Sequence, residues 1–313
     1  MMSQQSTMPT VVRYFQKWMT LFPTVFDLAK AKEPNVLKAW EGLGYYSRAR
    51  NVLASAKLLD AKLRASKTWP NSVEEWMSLP GVGDYTAKAI TAICFEGKQL
   101  PVDGNVIRVV ARLLAIDDPL NSSKDKAQLI EAVKQLEVLA SSLPMGDLAQ
   151  AFMELGSEIC RPGALADCAN CCLSRVCLAR ARDVQALIPQ KKKQREKVQL
   201  ESLALAYRKG DQILLRQIPK GRRLEGQWEL PVLNLEKAGS SIKSLISDHF
   251  ELRAELTHFI THHQYRAFWL EAGLWRGVLP AGHKWLNLEK WRHFDGSLST
   301  LTRKLLILVE KQS

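Results

Sequence analysis

Leu79-Pro80-Gly81-Val82-Gly83-Asp84-Tyr85-Thr86-Ala87 is the stretch whose reading decides the fold. Just upstream, Ser72-Val73-Glu74-Glu75 has the spacing of a capping box, which satisfies two orphan N–H groups and opens a helix. Pro80 disfavours helical geometry at Leu79 and so favours ending that helix there, while Gly81 and Gly83 permit a turn that β-carbons would obstruct. A second helix starts at once. Asp84 suits its N-terminal end, Ala87, Ile90, Ile93 and Cys94 are spaced to form its buried face, and Gly97 suits its stop. Two helices joined by such a corner present unpaired N–H groups at a helix N-terminus, with no glycine side chain to hold a phosphate away. The same corner is common in α-domains that bind nothing, so its meaning depends on the rest of the chain.

At 313 residues the chain accommodates two domains, each with its own core, and its 46% hydrophobic content is ordinary for a globular protein. The formal net charge of +12, from 44 Lys+Arg against 32 Asp+Glu, fits a polyanionic partner and also serves solubility. The strongly apolar run over residues 305–309 is far too short to span a bilayer. No basic, apolar and small-residue series opens the chain, so a cytoplasmic location without membrane association is expected. There, clustered cysteines favour metal over disulfides. Five of the six cysteines lie between Cys160 and Cys177. The spacing Cys160-x7-Cys168-x2-Cys171-x5-Cys177 offers four thiolates in a short loop, a set that both zinc and an iron–sulfur cluster accept. Cys172 can in principle take the place of Cys171, and Cys94, alone in an apolar helix, reads as core.

Elsewhere the patterns divide the chain. Val11, Val12, Tyr14, Phe15 and Trp18 repeat at helical spacing, so a helix is expected almost from the first residue, with Gln4 and Gln5 on it. Gly42-Leu43-Gly44-Tyr45-Tyr46-Ser47-Arg48-Ala49-Arg50-Asn51 puts flexible glycines, two aromatics and two arginines within ten positions. That mixture suits a loop entering a nucleic-acid groove, where rings wedge between bases and guanidinium groups meet phosphate; tyrosines at a helix start equally serve packing. Pro101-Val102-Asp103-Gly104-Asn105-Val106 precedes a helix carrying Arg108, Val109, Val110, Arg112 and Leu113, and Asp103 suits its cap. Pro189-Gln190-Lys191-Lys192-Lys193-Gln194-Arg195-Glu196-Lys197 reads as a basic connector. Strands follow: residues 202–207, the turn Lys209-Gly210-Asp211 and Ile213-Leu214-Leu215 form a hairpin, and residues 298–309 close the chain as an amphipathic helix.

On the glycine corner, the Asp103-Gly104-Asn105 element and the cysteine cluster, the chain resembles the helix-hairpin-helix DNA glycosylases. The Tyr45-Tyr46 segment closely matches Gly-Leu-Gly-Tyr-Tyr-x-Arg-Ala-Arg-Asn of the adenine DNA glycosylase (MutY-type) branch. The resemblance covers nearly the whole chain. It implies a mainly α N-terminal glycosylase domain with an iron–sulfur loop over residues 1–185, a basic linker over 186–200, and a smaller α+β Nudix-like domain over 201–313. The x2 and x5 cysteine intervals match the family's 4Fe-4S loop, whose first interval is normally six, so one residue has been added here. By resemblance Cys160, Cys168, Cys171 and Cys177 hold that cluster, which fixes a basic loop with Arg161 and Arg175 near phosphate.

The implied activity is hydrolytic release of adenine mispaired with 8-oxoguanine or guanine in double-stranded DNA, by a monomer. Residues matching Asp103, Asn105 and Tyr85 stabilise the sugar cation and position water in the family. Tyr85 stands where bifunctional relatives of the endonuclease III type have a Schiff-base lysine; a phenol forms no imine, so a monofunctional enzyme is expected. Gly81, Val82 and Gly83 take the hairpin's place against DNA. Gln4 and Gln5, in a segment like the family's Met-Leu-Gln-Gln-Thr, approach the duplex beside the extruded nucleotide, and Tyr45 intercalates next to 8-oxoguanine. In Phe259-Ile260-Thr261-His262-His263, Thr261 and His262 retain the hydroxyl and ring of the family's Phe-Ser-His recognition element, while Ile260 loses the aromatic. No acidic Arg-Glu-x-x-Glu-Glu helix for magnesium is evident, so the second domain is expected to bind without hydrolysing. The family's general-acid glutamate aligns one position before Met1, together with an upstream helical segment. The chain as given is therefore expected to be slowed by about 10²- to 10⁴-fold, a start placed too late being the favoured explanation. A mismatch- or lesion-binding protein without catalysis is the alternative if Met1 is the authentic start; the two share DNA affinity and differ in base release.

Overall fold

A computed structural model of the chain describes residues 1–4, 6, 8–190, 198–222, 224–234, 251–260 and 263–311. It falls into two compact units. One comprises Ala54–Gln194 with Met1, the other Met2–Leu53 together with Arg195–Ser313.

The second of these opens with α1 (Met8–Leu21), α2 (Val25–Lys30), α3 (Glu33–Ala39) and the start of α4 (Ser47–Ser66), within which the division falls. The helix expected from the first residue begins at Met8 instead. Pro9 suits a first turn, where its missing N–H costs nothing, and the carbonyls of Met2 and Gln4 accept from Arg48, which leaves them outside a helical ladder. Trp18 of α1 packs edge-on against Trp40 at 5.5 Å, and the opposite stripe of Met8, Val12, Phe15 and Met19 is exposed. Between α3 and α4, Gly42, Gly44 and Tyr45 all take positive φ, at 103°, 70° and 46°. Trp40 Nε1 donates to the Gly44 carbonyl at 3.0 Å and locks that bend.

The helical unit carries the corner. α5 (Val73–Met77) is capped as its sequence predicts, with Ser72 Oγ accepting from Glu75 N and the Glu75 carboxylate accepting from Ser72 N. Gly81 turns the chain at φ 73°, and Val82 N donates to Leu79 O at 3.1 Å. Gly83 departs from expectation: its φ of −94° is open to any residue, and a β-carbon there would meet nothing within 4 Å. Its lack of a side chain leaves open space in front of the N-terminus of α6 (Asp84–Cys94) and does not serve the turn itself.

A second correction concerns the buried face of α6. Thr86, Ala87, Thr91 and Ala92 are inside, Ile90 is half-buried, and Ile93 and Cys94 are exposed. The reason is a close approach by α9 (Met145–Glu154): a β-carbon at Gly146 would lie 2.6 Å from the Ala92 carbonyl oxygen. Only small side chains fit such a seam, so residue size overrides hydrophobic spacing. α7 (Gly104–Leu114) and α8 (Ser123–Leu139) complete the core with Val106, Val109, Val110, Leu129 and Val133 packed on Met145, Ala149 and Phe152. A π-helical turn over Leu155–Ile159 leads from α9 into the cysteine loop, which ends at α10 (Leu178–Ala181).

In the other unit the sheet contains β1 (Val198–Lys209), β2 (Gln212–Gln217), β3 (Trp228–Glu229), β4 (Val232–Asn234), β5 (Glu251–Ile260), β6 (His263–Leu274) and β7 (His283–Asn287). The path runs β3-β2-β1-β6-β5, with β4 also on β1 and β7 on β2. β1 and β2 form the expected tight hairpin, Lys209 opposite Gln212, with Gly210 at φ 57°. β1 and β6 run parallel. Alternation along β1 sends Ala204 and Ala206 to one face, under Leu305, Leu306 and Val309 of α11 (Thr300–Glu310), and Leu203 and Leu205 to the other, with Phe268 and Leu270.

Candidate active site

Asp103 is the N-cap of α7. Its Oδ1 accepts from the backbone N–H of Asn105 at 2.8 Å and of Val106 at 2.9 Å, and its Oδ2 accepts from Asn105 Nδ2 at 3.0 Å. Asn105 is held in turn by Arg108, whose Nη2 donates to Asn105 Oδ1 at 2.8 Å and to Gly156 O at 2.6 Å, while its Nε donates to Cys160 O at 2.7 Å. A β-carbon on Gly156 would sit 2.6 Å from Asn105 Cβ, so the π-helical turn is pressed against this side chain. Tyr85, one turn after the corner, reaches Met153 Sδ with its hydroxyl at 3.6 Å. Burial first, then the Asp103 carboxylate, push its phenol pKa up, so it stays protonated as a donor. Asp103, Asn105 and Tyr85 are thus brought together in the unit that also carries Gly81, Val82 and Gly83.

The cysteine loop closes on the same helix. Cys160, Cys168, Cys171 and Cys177 line one small cavity with Arg112 and Arg180. Cys172 is exposed and takes no part in that lining. Arg112, buried at 2% exposure, donates from Nη1 to Cys160 Sγ at 3.3 Å and to Arg161 O at 2.8 Å, and from Nε to Ile188 O at 2.8 Å. Burial and the neighbouring thiols Cys160 and Cys177 push the Cys168 thiol pKa up, and burial does the same at Cys171. Among the described residues no three ligating side chains converge to hold a single metal ion. Four thiols lining one cavity, with a guanidinium donating to one of them, are a donor set that fits a cationic group. Arg161 and Arg175 are exposed on this loop.

In the other unit Tyr46 is buried and Tyr45 is 49% exposed, so the tandem tyrosines divide between packing and surface. A cavity is lined by Tyr45, Arg50, Arg222, His258, Phe259 and Thr300, among others. Gln4 is half-buried, its carbonyl held by Arg48. Gln5, Thr261 and His262 lie outside the described residues; Phe259, just before that loop, is exposed, and His258 is buried with Lys304 Nζ 3.5 Å from its Nδ1.

A family description, the HhH-GPD superfamily of base excision DNA repair proteins, matches residues 1–135. Adenine DNA glycosylase of Homo sapiens is 30% identical over 373 aligned residues, covering 99% of this chain and 67% of the human protein. That of Rattus norvegicus is also 30% identical, over 99% of this chain and 70% of its own length. The chain belongs to the adenine DNA glycosylases. Among solved structures, a non-covalent endonuclease III–DNA complex is 22% identical with a TM-score of 0.46, over 59% of this chain and 82% of that one.

As a member of the adenine DNA glycosylases, the chain carries the helix-hairpin-helix base-excision fold in its N-terminal part and a mixed β-sheet in its C-terminal part, and it belongs to a family of DNA-binding base-excision enzymes. An iron–sulfur cluster is consistent with that family. Arg48, one of the two arginines of the Gly42–Asn51 segment expected to meet phosphate, is instead buried, with its donors on the carbonyls of Met2, Leu43 and Gly44, and the anchoring parts of Arg108 and Arg112 carry no motif of their own. Arg108 and Arg112 stand in the sequence as a basic i,i+4 pair on an otherwise apolar helix.

Proposed function

We propose that the chain releases adenine mispaired with 8-oxoguanine or guanine in duplex DNA by hydrolysing its N-glycosidic bond, and leaves the strand uncut. The observation that carries this reading is the Asp103 carboxylate fixed by Asn105 and α7 beside the protonated Tyr85, in the unit that bears the Leu79–Gly83 corner. The corner's open N–H groups suit a phosphate of the bent strand. Extrusion of the adenine nucleotide is required, because the bond is inaccessible inside stacked bases. As the C1′–N9 bond breaks, positive charge develops on the sugar, and a carboxylate beneath the ring lowers that barrier electrostatically. Asn105 and Tyr85 orient the water whose oxygen forms the new bond to C1′, and the proton that water gives up balances the one the departing adenine takes from solvent.

Residues 1–185 supply this chemistry, residues 186–200 connect, and residues 201–313 read the base opposite, with Gln4, Gln5, Tyr45, Thr261 and His262 facing the mispair. Cys160, Cys168, Cys171 and Cys177 would hold a 4Fe-4S cluster, whose contribution is structural: it fixes the loop that carries Arg161 and Arg175. A brown protein containing iron and sulfide is expected; stoichiometric zinc from anaerobic material would exclude the cluster.

The test is a single-turnover assay on an A:8-oxoguanine duplex labelled in the adenine strand, with protein in excess and long sampling. Free adenine and a strand that breaks only after alkali are expected. Absence of adenine release, or breaks without alkali, overturns the proposal.

A further inference from the structure

Arg48, in the first turn of α4, is 8% exposed. From Nη1 it donates to Met2 O at 3.1 Å and to Gln4 O; from Nη2 it donates to Leu43 O at 3.2 Å, Gly44 O at 3.4 Å and Ser6 Oγ at 3.4 Å. One cation therefore ties the segment before α1 to the bend before α4. Its guanidinium carbon also lies 5.3 Å from the Trp40 ring centroid and 5.5 Å from that of Tyr45. Tyr45 needs such support. It sits at φ 46°, a conformation that few side chains adopt without compensation, and its ring stands half in solvent at the rim of the cavity bounded by Arg222, His258 and Phe259.

Burying a guanidinium in this way is a poor route to stability, since an apolar side chain of similar volume does as well or better. What only arginine supplies is a planar fork that addresses several carbonyls at once and stacks on rings. A lysine offers a point charge with no plane.

We propose that Arg48 is a positioning residue for recognition of the base opposite adenine: it fixes the Tyr45 ring, and preference for 8-oxoguanine over guanine depends on it. This rests on the function proposed above. The contact is made through Tyr45, and Arg48 itself stays buried behind it.

The experiment measures equilibrium binding of the full chain to two duplexes carrying a tetrahydrofuran abasic analogue opposite 8-oxoguanine or opposite guanine. Arg48→Lys, Arg48→Leu, Tyr45→Ala and the double variant Arg48→Lys/Tyr45→Ala are compared. Arg48→Lys is expected to narrow the ratio of the two Kd values about tenfold, the scale of losing charge-assisted bonds. Its affinity for the guanine duplex should change by less than about threefold, although its thermal midpoint should fall, because lysine leaves unpaired some of the carbonyls that Arg48 holds. Because Arg48 acts through Tyr45, the double variant should show no narrower ratio than Tyr45→Ala alone. A ratio unchanged in Arg48→Lys, equal losses on both duplexes, or a double variant whose losses multiply overturns the proposal. Should Arg48→Leu fail to fold, Arg48→Lys alone decides. A parent chain that does not distinguish the duplexes brings down the proposed function as well, whereas a parent preference that survives in Arg48→Lys removes only this role.

Discussion

Asp103 divides its work between its two oxygens. Oδ1 closes the N-terminus of α7 through two backbone N–H groups, while Oδ2 is turned by the Asn105 amide. Capping needs an acceptor and catalysis needs a charge, so Asp103→Asn separates them. Asn caps about as well as Asp, so stability should change by less than about 1 kcal/mol in chemical denaturation. Adenine release should fall by at least about 10²-fold, the scale of removing one electrostatic stabiliser. Equal rates would reduce Asp103 to a helix cap. Arg108→Met tests the next link: it removes donors to Asn105, Gly156 and Cys160. Excision should drop about tenfold with duplex affinity retained, and a loss confined to affinity would assign Arg108 to binding. The Asp-Gly-Asn element was legible because its partners are sequence neighbours. The bonding of Arg108, Arg112 and Arg48 was not, because most of it goes to backbone carbonyls, several of them far along the chain, as from Arg112 to Ile188. A carbonyl is the same group in every residue and leaves no mark in a sequence.

The α5 cap and the α6–α9 seam show which elements can be read ahead of a structure. The capping box was readable in full, since each bond spans three residues. Lys62 and the N–H groups of Asn71 and Ser72 hold the Glu75 carboxyl down to about 2. A carboxyl lowered on folding adds stability above its unfolded value, near 4.5, and loses it as pH falls toward 2. The gap in melting temperature between the chain and Glu75→Gln should therefore be constant above about pH 5 and close on acidification. A gap that widens in acid would contradict that assignment. The seam was not readable from periodicity, because Ile93 and Cys94 are as apolar as the residues that displace them; only the approach of Gly146 to Ala92 decides the face. Gly146→Ala should cost about 1–3 kcal/mol in denaturant unfolding, the usual scale of overpacking. A neutral result would mean that the two helices part without penalty.

Across the whole molecule, the succession of a helical half and a strand-rich half was visible in the chain. The grouping of Met2–Leu53 with the sheet was not. Lys38 Nζ donates to Phe294 O at 3.0 Å and Glu41 Oε1 accepts from Leu298 N at 3.1 Å, pairings across more than 250 positions that no local pattern announces. Charge is the property of the full chain that composition does report, and its +12 bears on affinity for DNA more than on choice of base. Each phosphate neutralised by Lys or Arg releases condensed counterions, and neutralising about four lowers affinity at least about a hundredfold between about 50 and 200 mM salt. Backbone N–H groups at the glycine corner and aromatic contacts at a mispair release none. In fluorescence anisotropy titrations, plots of log Kd against log salt for a fully paired duplex and for an A:8-oxoguanine duplex should therefore be parallel, separated by a salt-independent offset. The proposed Tyr45 contact would set that offset, so Tyr45→Ala should shrink it without altering either slope. Lines that converge at high salt would instead mean that charge selects the mispair, because a preference made by stacking and hydrogen bonds has no counterions to release.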